Sequence, residues 1–242
     1  MAVVNVVCMK WGTRYNGPYV NNLYSMVRRH LTIPHRFVCF TDDPRGFNKG
    51  IEAFPLPLSH LSGPKIASSW NKLSIFAPEL ADLTGPTLFL DLDLVIVGNI
   101  NSLFDYEPDK FCIIRDWLRL DAIEGNSSVF RFNVGQHADL LDYFLQNPDY
   151  VRSHFRGDQA YTCFRLHEQG KLNYWPERWC VSFKRHCLPP WPLHWFQTAK
   201  LPSDAKIVVF HGMPKPVHAM QGRLSKLRLI RPVPWVAQHW HP

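Results

Sequence analysis

Short apolar runs alternate with amphipathic stretches along most of the chain. Residues 3–9 (Val-Val-Asn-Val-Val-Cys-Met) read as a strand, because the run is short, apolar and β-branched. Residues 19–30 read as a helix, with Leu23, Val27 and Leu31 at helical spacing. A second strand at 36–40 ends on Thr41-Asp42-Asp43-Pro44, a turn-forming sequence. Residues 46–64 read as loop with a short strand near 51–54. Residues 66–80 read as a helix broken near Pro78. Strands follow at 88–91, 111–115, 128–133, 171–174 and 207–210, with a helical turn at 100–104 and helices at 136–145 and 158–168. The Pro- and Trp-rich stretch 175–202 reads as irregular. Strands alternating with helices predict an α/β fold with a largely parallel sheet.

Length and composition narrow the class. The 242 residues suit one large domain. With 46% hydrophobic and 19% charged residues, a packed core is expected rather than disorder. No apolar run approaches the roughly 18–20 residues that span a bilayer. No basic stretch leads into a long apolar run at the start, so a cytoplasmic location is expected. The six cysteines form no C-x-x-C pair; Cys180, His186 and Cys187 are a weak metal signal, and burial explains them better. The net charge is +7, and its distribution says more. No Asp or Glu follows Asp204, while Lys206, Lys215, Arg223, Lys226, Arg228 and Arg231 do. Such a tail suits anionic partners.

The sharpest chemical signal is Asp91-Leu92-Asp93, where the strand Leu88-Phe89-Leu90 ends. Side chains two apart on a strand share a face, so two carboxylates stand side by side. They repel unless a cation or a proton lies between them. A hard divalent ion, Mn2+ or Mg2+, is the natural occupant, and ligands in open α/β sheets gather at strand carboxyl ends. His211 repeats the arrangement at the end of Ile207-Val208-Val209-Phe210, and an imidazole beside two carboxylates favours Mn2+. Lys215 lies four residues on and could reach a phosphate. A surface turn explains each of these residues taken singly.

Taken together, they resemble the glycogenin-like family of retaining glycosyltransferases. Its strand-borne D-x-D matches Asp91 and Asp93. Its aromatic-x-basic-Leu pattern matches Trp70-Asn71-Lys72-Leu73. Its Asn-Ser-Gly-apolar segment resembles Asn126-Ser127-Ser128-Val129. Its Asp-Gln pair resembles Asp158-Gln159, and its late His and Lys-Pro resemble His211 and Lys215-Pro216. This sequence departs from the pattern at Ser128 (usually Gly), at Lys72 (more often Arg) and in the short spacing from His211 to Lys215. It therefore resembles a divergent, bacterial-type branch, and donor sugar and acceptor are not carried over.

The resemblance implies a single GT-A nucleotide-sugar-binding domain over residues 1–216, with a Rossmann-like mixed sheet and helices on both faces, and a basic tail over 217–242. It implies a metal-dependent hexosyltransferase using a nucleotide sugar, a UDP-sugar foremost, on a glycan or lipid-linked acceptor. Asp91, Asp93 and His211 would hold the metal. Lys72, Lys215, Asp91, Asp42, Met9 and Lys10 would meet the nucleotide, and Asp158, Gln159 and Asn126 the sugar. Asp158 also suits a helix N-cap, Lys72 suits a solvated helix face, and Asp116 is a candidate sugar or acceptor contact. In the tail, Met220, Leu224 and Leu227 at helical spacing among Arg223, Lys226 and Arg228, with Trp235 and Trp240 nearby, read as an anchor on the inner face of a membrane; a packed C-terminal element is the other reading. Two further classes stay open. Haloacid-dehalogenase-like phosphatases also use D-x-D after an apolar strand, but near the start of their core and followed by Gly-Thr, unlike Leu94-Val95 here. An inactive nucleotide-sugar-binding scaffold is the other. The basic charge would suit nucleic acid, yet no nucleic-acid-binding motif is present.

Overall fold

The computed structural model describes residues 3–57, 69–225 and 228–242. β1 (Val4–Lys10) lies inside a seven-stranded sheet, and all its residues are buried. Val6 and Cys8 point into one core, Val7 and Met9 into the other. Burial on both faces is why the run is continuously apolar rather than alternating. β1 pairs in parallel with β2 (His35–Thr41) on one side and β4 (Pro86–Leu90) on the other. β3 (Glu52–Phe54) extends the sheet beside β2. Beyond β4 come β7 (Gly125–Asn133), antiparallel to both β4 and the next strand, β6 (Phe111–Arg115), and then β8 (Leu172–Tyr174), parallel to β6. The sheet is thus mixed, with its parallel half built around β1.

α1 (Gly17–His30) covers one face through Val20, Leu23, Met26 and Val27. It starts two residues before the apolar spacing predicts, because Pro18 fits the first turn, where no amide hydrogen is needed. Arg28, Arg29 and His30 fill its last turn, where the helix dipole favours positive charge. A 3-10 helix, Ser69–Phe76, covers the other face with α3 (Ala138–Gln146) and α5 (Asp158–Glu168). The helix expected at 66–80 is thus a 3-10 segment that ends before Pro78; residues 66–68 lie outside the described residues. α4 (Pro148–His154) follows α3 after Asn147.

A second, three-stranded sheet joins β5 (Leu94–Ile96), β10 (Ile207–Val209) and β9 (Cys180–Ser182), every residue of which is buried. The stretch that reads as irregular, 175–202, therefore supplies a core strand. Arg131 sits mid-strand on β7 at 1% exposure and donates to the carbonyls of Leu103, Tyr106 and Lys110 at 2.7, 2.6 and 3.1 Å. It satisfies the end of the short helix α2 (Ser102–Asp105), which accounts for a charge in the core.

The tail departs from the expected amphipathic helix. α6 (Pro216–Met220) stops at Gln221, and Gly222 takes a left-handed φ of 75°. A Cβ there would lie 2.9 Å from the Ile230 carbonyl oxygen. Leu227 lies outside the described residues. α7 (Pro234–His239) turns Val236 and the following Trp240 inward, and Trp235 donates to the Ala199 carbonyl at 3.0 Å. The two tail tryptophans are packing residues. No helix among the described residues is long and apolar enough to cross a membrane.

Candidate functional site

The carboxyl ends of β1, β2 and β4 open on one side of the sheet. β1 is followed in sequence by β2 on one flank, while β4 lies on the other, so the chain reverses direction across the sheet here. Ligands bind at such reversals in open α/β sheets. A cleft of about 590 Å³ lies there, a size suited to a nucleotide-scale molecule.

Asp91-Leu92-Asp93 bridges the two sheets along its floor. The Asp91 amide donates to the Ser128 carbonyl at 2.9 Å, tying it to β7. The Asp93 carbonyl accepts from the Phe210 amide at 2.9 Å, tying it to the second sheet. Leu92, 3% exposed, plugs the core between them, which leaves both carboxylates on the cleft wall.

Each carboxylate is held by one lysine. Lys72 donates to Asp91 Oδ1 at 2.9 Å and to the carbonyl and hydroxyl of Ser127 at 3.0 and 3.2 Å. Burial alone would lower the Lys72 pKa; the Asp91 and Asp158 carboxylates outweigh it, so Lys72 is held charged. It is therefore not the solvated helix lysine that composition allows. Lys215 donates to Asp93 Oδ2, and the Tyr15 hydroxyl donates to the same oxygen at 2.9 Å. Burial, then the Asp93 charge, drive the Tyr15 pKa up, so the phenol stays a donor.

His211 lies on the same cleft wall, at the exit of β10. Its Nε2 shares a 2.7 Å hydrogen bond with Ser182 Oγ, and its ring stacks on Trp117 at 5.3 Å. Burial, then the nearby Lys184, lower its pKa to about 4, so at neutral pH it is an uncharged imidazole with a lone pair. Asp91, Asp93 and His211 thus face one cleft. Even so, no three His, Cys, Asp or Glu side chains among the described residues stand close enough together to hold an ion in this arrangement.

The predicted sugar-binding residues converge on Ser127. Its hydroxyl donates to Asp158 Oδ2 at 3.0 Å, and its amide lies 3.4 Å from Gln159 Oε1. Gln159 and Asn126 line the cleft; Asp158, 5% exposed, stands behind it. Asp158 is not the cap of α5 but its first residue; Gly157 is the cap residue.

The predicted nucleotide contacts divide. Met9 lines the cleft, but Lys10 and Asp42 do not. Lys10 donates to the Asp43 carbonyl at 3.0 Å, and Asp42 accepts from the Gly12 amide at 2.8 Å. These two shape the loop after β1 from behind, while Trp11, Thr13, Arg14 and Tyr15 of that loop form the wall. Thr41 and Asp43 close a turn on each other at 3.0 and 3.1 Å. Asp116 accepts the amides of Leu118 and Arg119 at 2.7 and 3.1 Å, so it starts a turn and sets Trp117 beside His211. Tyr15, Trp117 and Ser182 are site residues that sequence reasoning missed. Only Tyr15 left a signal, as an aromatic in the loop that follows the first strand.

No protein-family profile and no curated protein matches the sequence. Among solved structures, 205 chains match. The galactosyltransferase LgtC, solved in complex with donor and acceptor sugar analogs, superposes with a TM-score of 0.56 at 15% identity, over 88% of each chain. The glycosyltransferase GlyE of Streptococcus pneumoniae TIGR4 gives 0.60 at 12% identity, over 98% of this chain and 60% of its own. Mouse xyloside xylosyltransferase 1 gives 0.54 at 17%, over 88% of this chain and 98% of its own. At such identities the likeness establishes the fold: this chain has the GT-A glycosyltransferase fold.

Proposed function

We propose that this protein is a glycosyltransferase that moves a hexose-type sugar from a nucleotide sugar, a UDP-sugar foremost, to a hydroxyl of a glycan or lipid-linked acceptor, with retention. The observation that carries this reading is the D-x-D at the end of β4, its two carboxylates on one cleft wall with His211. The GT-A fold and the nucleotide-sized cleft support it. The phosphatase reading is weaker, because Asp91 is engaged by Lys72 and lies deep in the chain's strand order.

The donor set suits a divalent cation in kind: two carboxylates and a neutral imidazole, a combination that favours Mn2+ over Mg2+. When bound, such an ion supplies charge neutralisation to the departing diphosphate. Asp93, Asp91 and His211 are the residues that would hold it. Lys215 would then leave Asp93 and serve as a fixed positive charge for phosphate oxygens. Lys72, pinned by Ser127, would stay as a second positive charge. Gln159 and Asn126 would hydrogen-bond sugar hydroxyls, with Asp158 fixing Ser127 behind them. Gln159, the amide on the wall, is a poor nucleophile, which supports front-face attack through an oxocarbenium-like state over double displacement.

One observation favours a second reading of the cation alone. Both carboxylates already carry an ammonium partner, so the two lysines could hold a diphosphate without metal. Thermal shift with UDP, GDP, CDP and their sugars, in Mn2+, Mg2+ or EDTA, separates the cases. A Mn2+-dependent shift with one nucleotide family, lost in Asp93→Asn, supports the metal-dependent transferase. A nucleotide shift that survives EDTA supports the lysine-only version. No nucleotide shift, but one with phosphate analogues and Mg2+, overturns the transferase. A donor-sugar shift with neither transfer nor donor hydrolysis leaves the scaffold reading.

A further inference from the structure

The largest exposed apolar side chains cluster away from the cleft. Trp191 is 74% exposed, Phe196 70%, Trp195 51% and Leu193 42%, all within one short loop. Trp191 and Trp195 are in edge contact, their ring centres 6.3 Å apart, so the rings form one surface. Single exposed leucines need no explanation, but several large aromatics at one place do.

The backbone ties this loop to the basic tail. The His194 carbonyl accepts from the Arg231 amide at 3.3 Å, and the Cys187 carbonyl accepts from the Lys200 amide at 2.9 Å. Leu229, 64% exposed, bridges to Arg223 nearby. Lys200, Arg223, Arg228 and Arg231 are exposed on the same segments as these apolar groups. Opposing charge is scarce: Asp204 is the last acidic residue of the chain, and Arg178 holds it at 3.1 Å.

Solvent-facing tryptophans ringed by arginine and lysine match the chemistry of a lipid-water boundary. Indole rings partition to the headgroup level, and basic side chains meet anionic headgroups while their stems lie on apolar surface. We infer that residues 191–196, with Leu229 and the surrounding arginines, form a docking surface for an anionic lipid membrane. The loop follows β9, whose Ser182 holds His211, so the docked face and one wall of the cleft belong to the same three-stranded unit. The surface contacts the membrane through a loop, not through the tail helix that the sequence pattern suggests.

Co-sedimentation of the full chain with phosphatidylglycerol-phosphatidylcholine vesicles, against pure phosphatidylcholine, tests this. The wild type pellets with the anionic vesicles only, its tryptophan emission shifts to the blue, and high salt releases it. Trp191→Ser with Phe196→Ser abolishes binding, while the melting temperature without vesicles is unchanged. Arg228→Gln with Arg231→Gln weakens binding about 25-fold, taking roughly five-fold per basic residue. Absence of wild-type binding to anionic vesicles overturns the inference. So does concentration-dependent dimerisation that the Phe196→Ser change disperses without any vesicle binding, which would make the face a contact between two copies. None of these readouts uses sugar transfer, so the result stands apart from the catalytic reading.

Discussion

Replacing Lys215 by Met tests the central feature of the site, the ammonium on Asp93. Methionine keeps most of the aliphatic stem and removes only the charge and its hydrogen bond. The Lys215 and Asp93 side chains are 10% and 11% exposed, so water replaces the lost partner poorly. Asp93 would keep one donor, the Tyr15 hydroxyl at 2.9 Å. Removing one member of a buried pair costs about 3–5 kcal/mol, and the residual exposure places this case near about 3 kcal/mol. For a chain of this length, each kcal/mol lowers Tm by about 2–4 °C, which gives a drop of roughly 6–12 °C in EDTA. Differential scanning fluorimetry reads that drop directly. Mn2+ should then raise Tm more in the variant than in the wild type, because the carboxylate no longer has an ammonium to exchange. Affinity for UDP, measured by calorimetry in Mn2+, should fall at least about ten-fold, since a charge-assisted hydrogen bond is worth about 1.5–3 kcal/mol. The reasoning is refuted if the variant melts with the wild type in EDTA, or if Mn2+ shifts both equally.

Gln159→Ala should lower turnover roughly 100-fold, the usual cost of losing one preorganised donor, while UDP affinity holds; steady-state rates beside UDP titration check this. His137 is 2% exposed, neither ring nitrogen has a partner, and burial lowers its pKa to about 4. The unfolded chain, with a histidine pKa of about 6.5, binds the proton first, so stability falls as pH drops below about 6.5, and by about 2 kcal/mol at pH 5. His137→Leu should remove that slope in urea unfolding between pH 7 and 5; an unchanged slope would show another group responsible. At Gly125, a Cβ would stand 2.9 Å from Cys163 Sγ, Ile113 Cδ1 and the Ile114 oxygen alike. Gly125→Ala should therefore destabilise the protein by about 1–3 kcal/mol in the same assay, with loss of the β6–β7 register.

What was legible in the sequence was what local pattern encodes. β1 and α5 follow from a short apolar run and from helical spacing, and their predicted bounds nearly match. Asp91 and Asp93 were legible because period-two geometry alone puts them on one face. The tail misled for a local reason that was also present: Gly222, whose left-handed φ breaks the stripe between Met220 and Leu224. The 3-10 course of Ser69–Phe76 was not legible, because packing against α3 and α5 selects it over the α-helix that the spacing allows.

The partners within the site lay further out of reach. Tyr15 and Asp93 are 78 positions apart, and Lys215 and Asp93 are 122 apart. Ser182 comes from a strand with no pattern of its own, recognisable only once β10 pairs with it. Sequence reasoning assigned Lys72 and Lys215 to a ligand's phosphates, because it treats a cation as waiting for an anion. In the folded chain an unpaired buried charge is too costly to wait. The carboxylates and ammonium groups therefore pair with each other, and a diphosphate with its cation would enter by exchanging partners at Asp93. At the Asp91 side, Ser127 holds Lys72 through two further bonds, at 3.0 and 3.2 Å, whereas Lys215 is bonded to Asp93 and otherwise lies over the Tyr15 ring at 5.5 Å. The exchange should accordingly begin at Lys215, and Lys72→Met should lower nucleotide affinity without enlarging the Mn2+ shift that Lys215→Met enlarges.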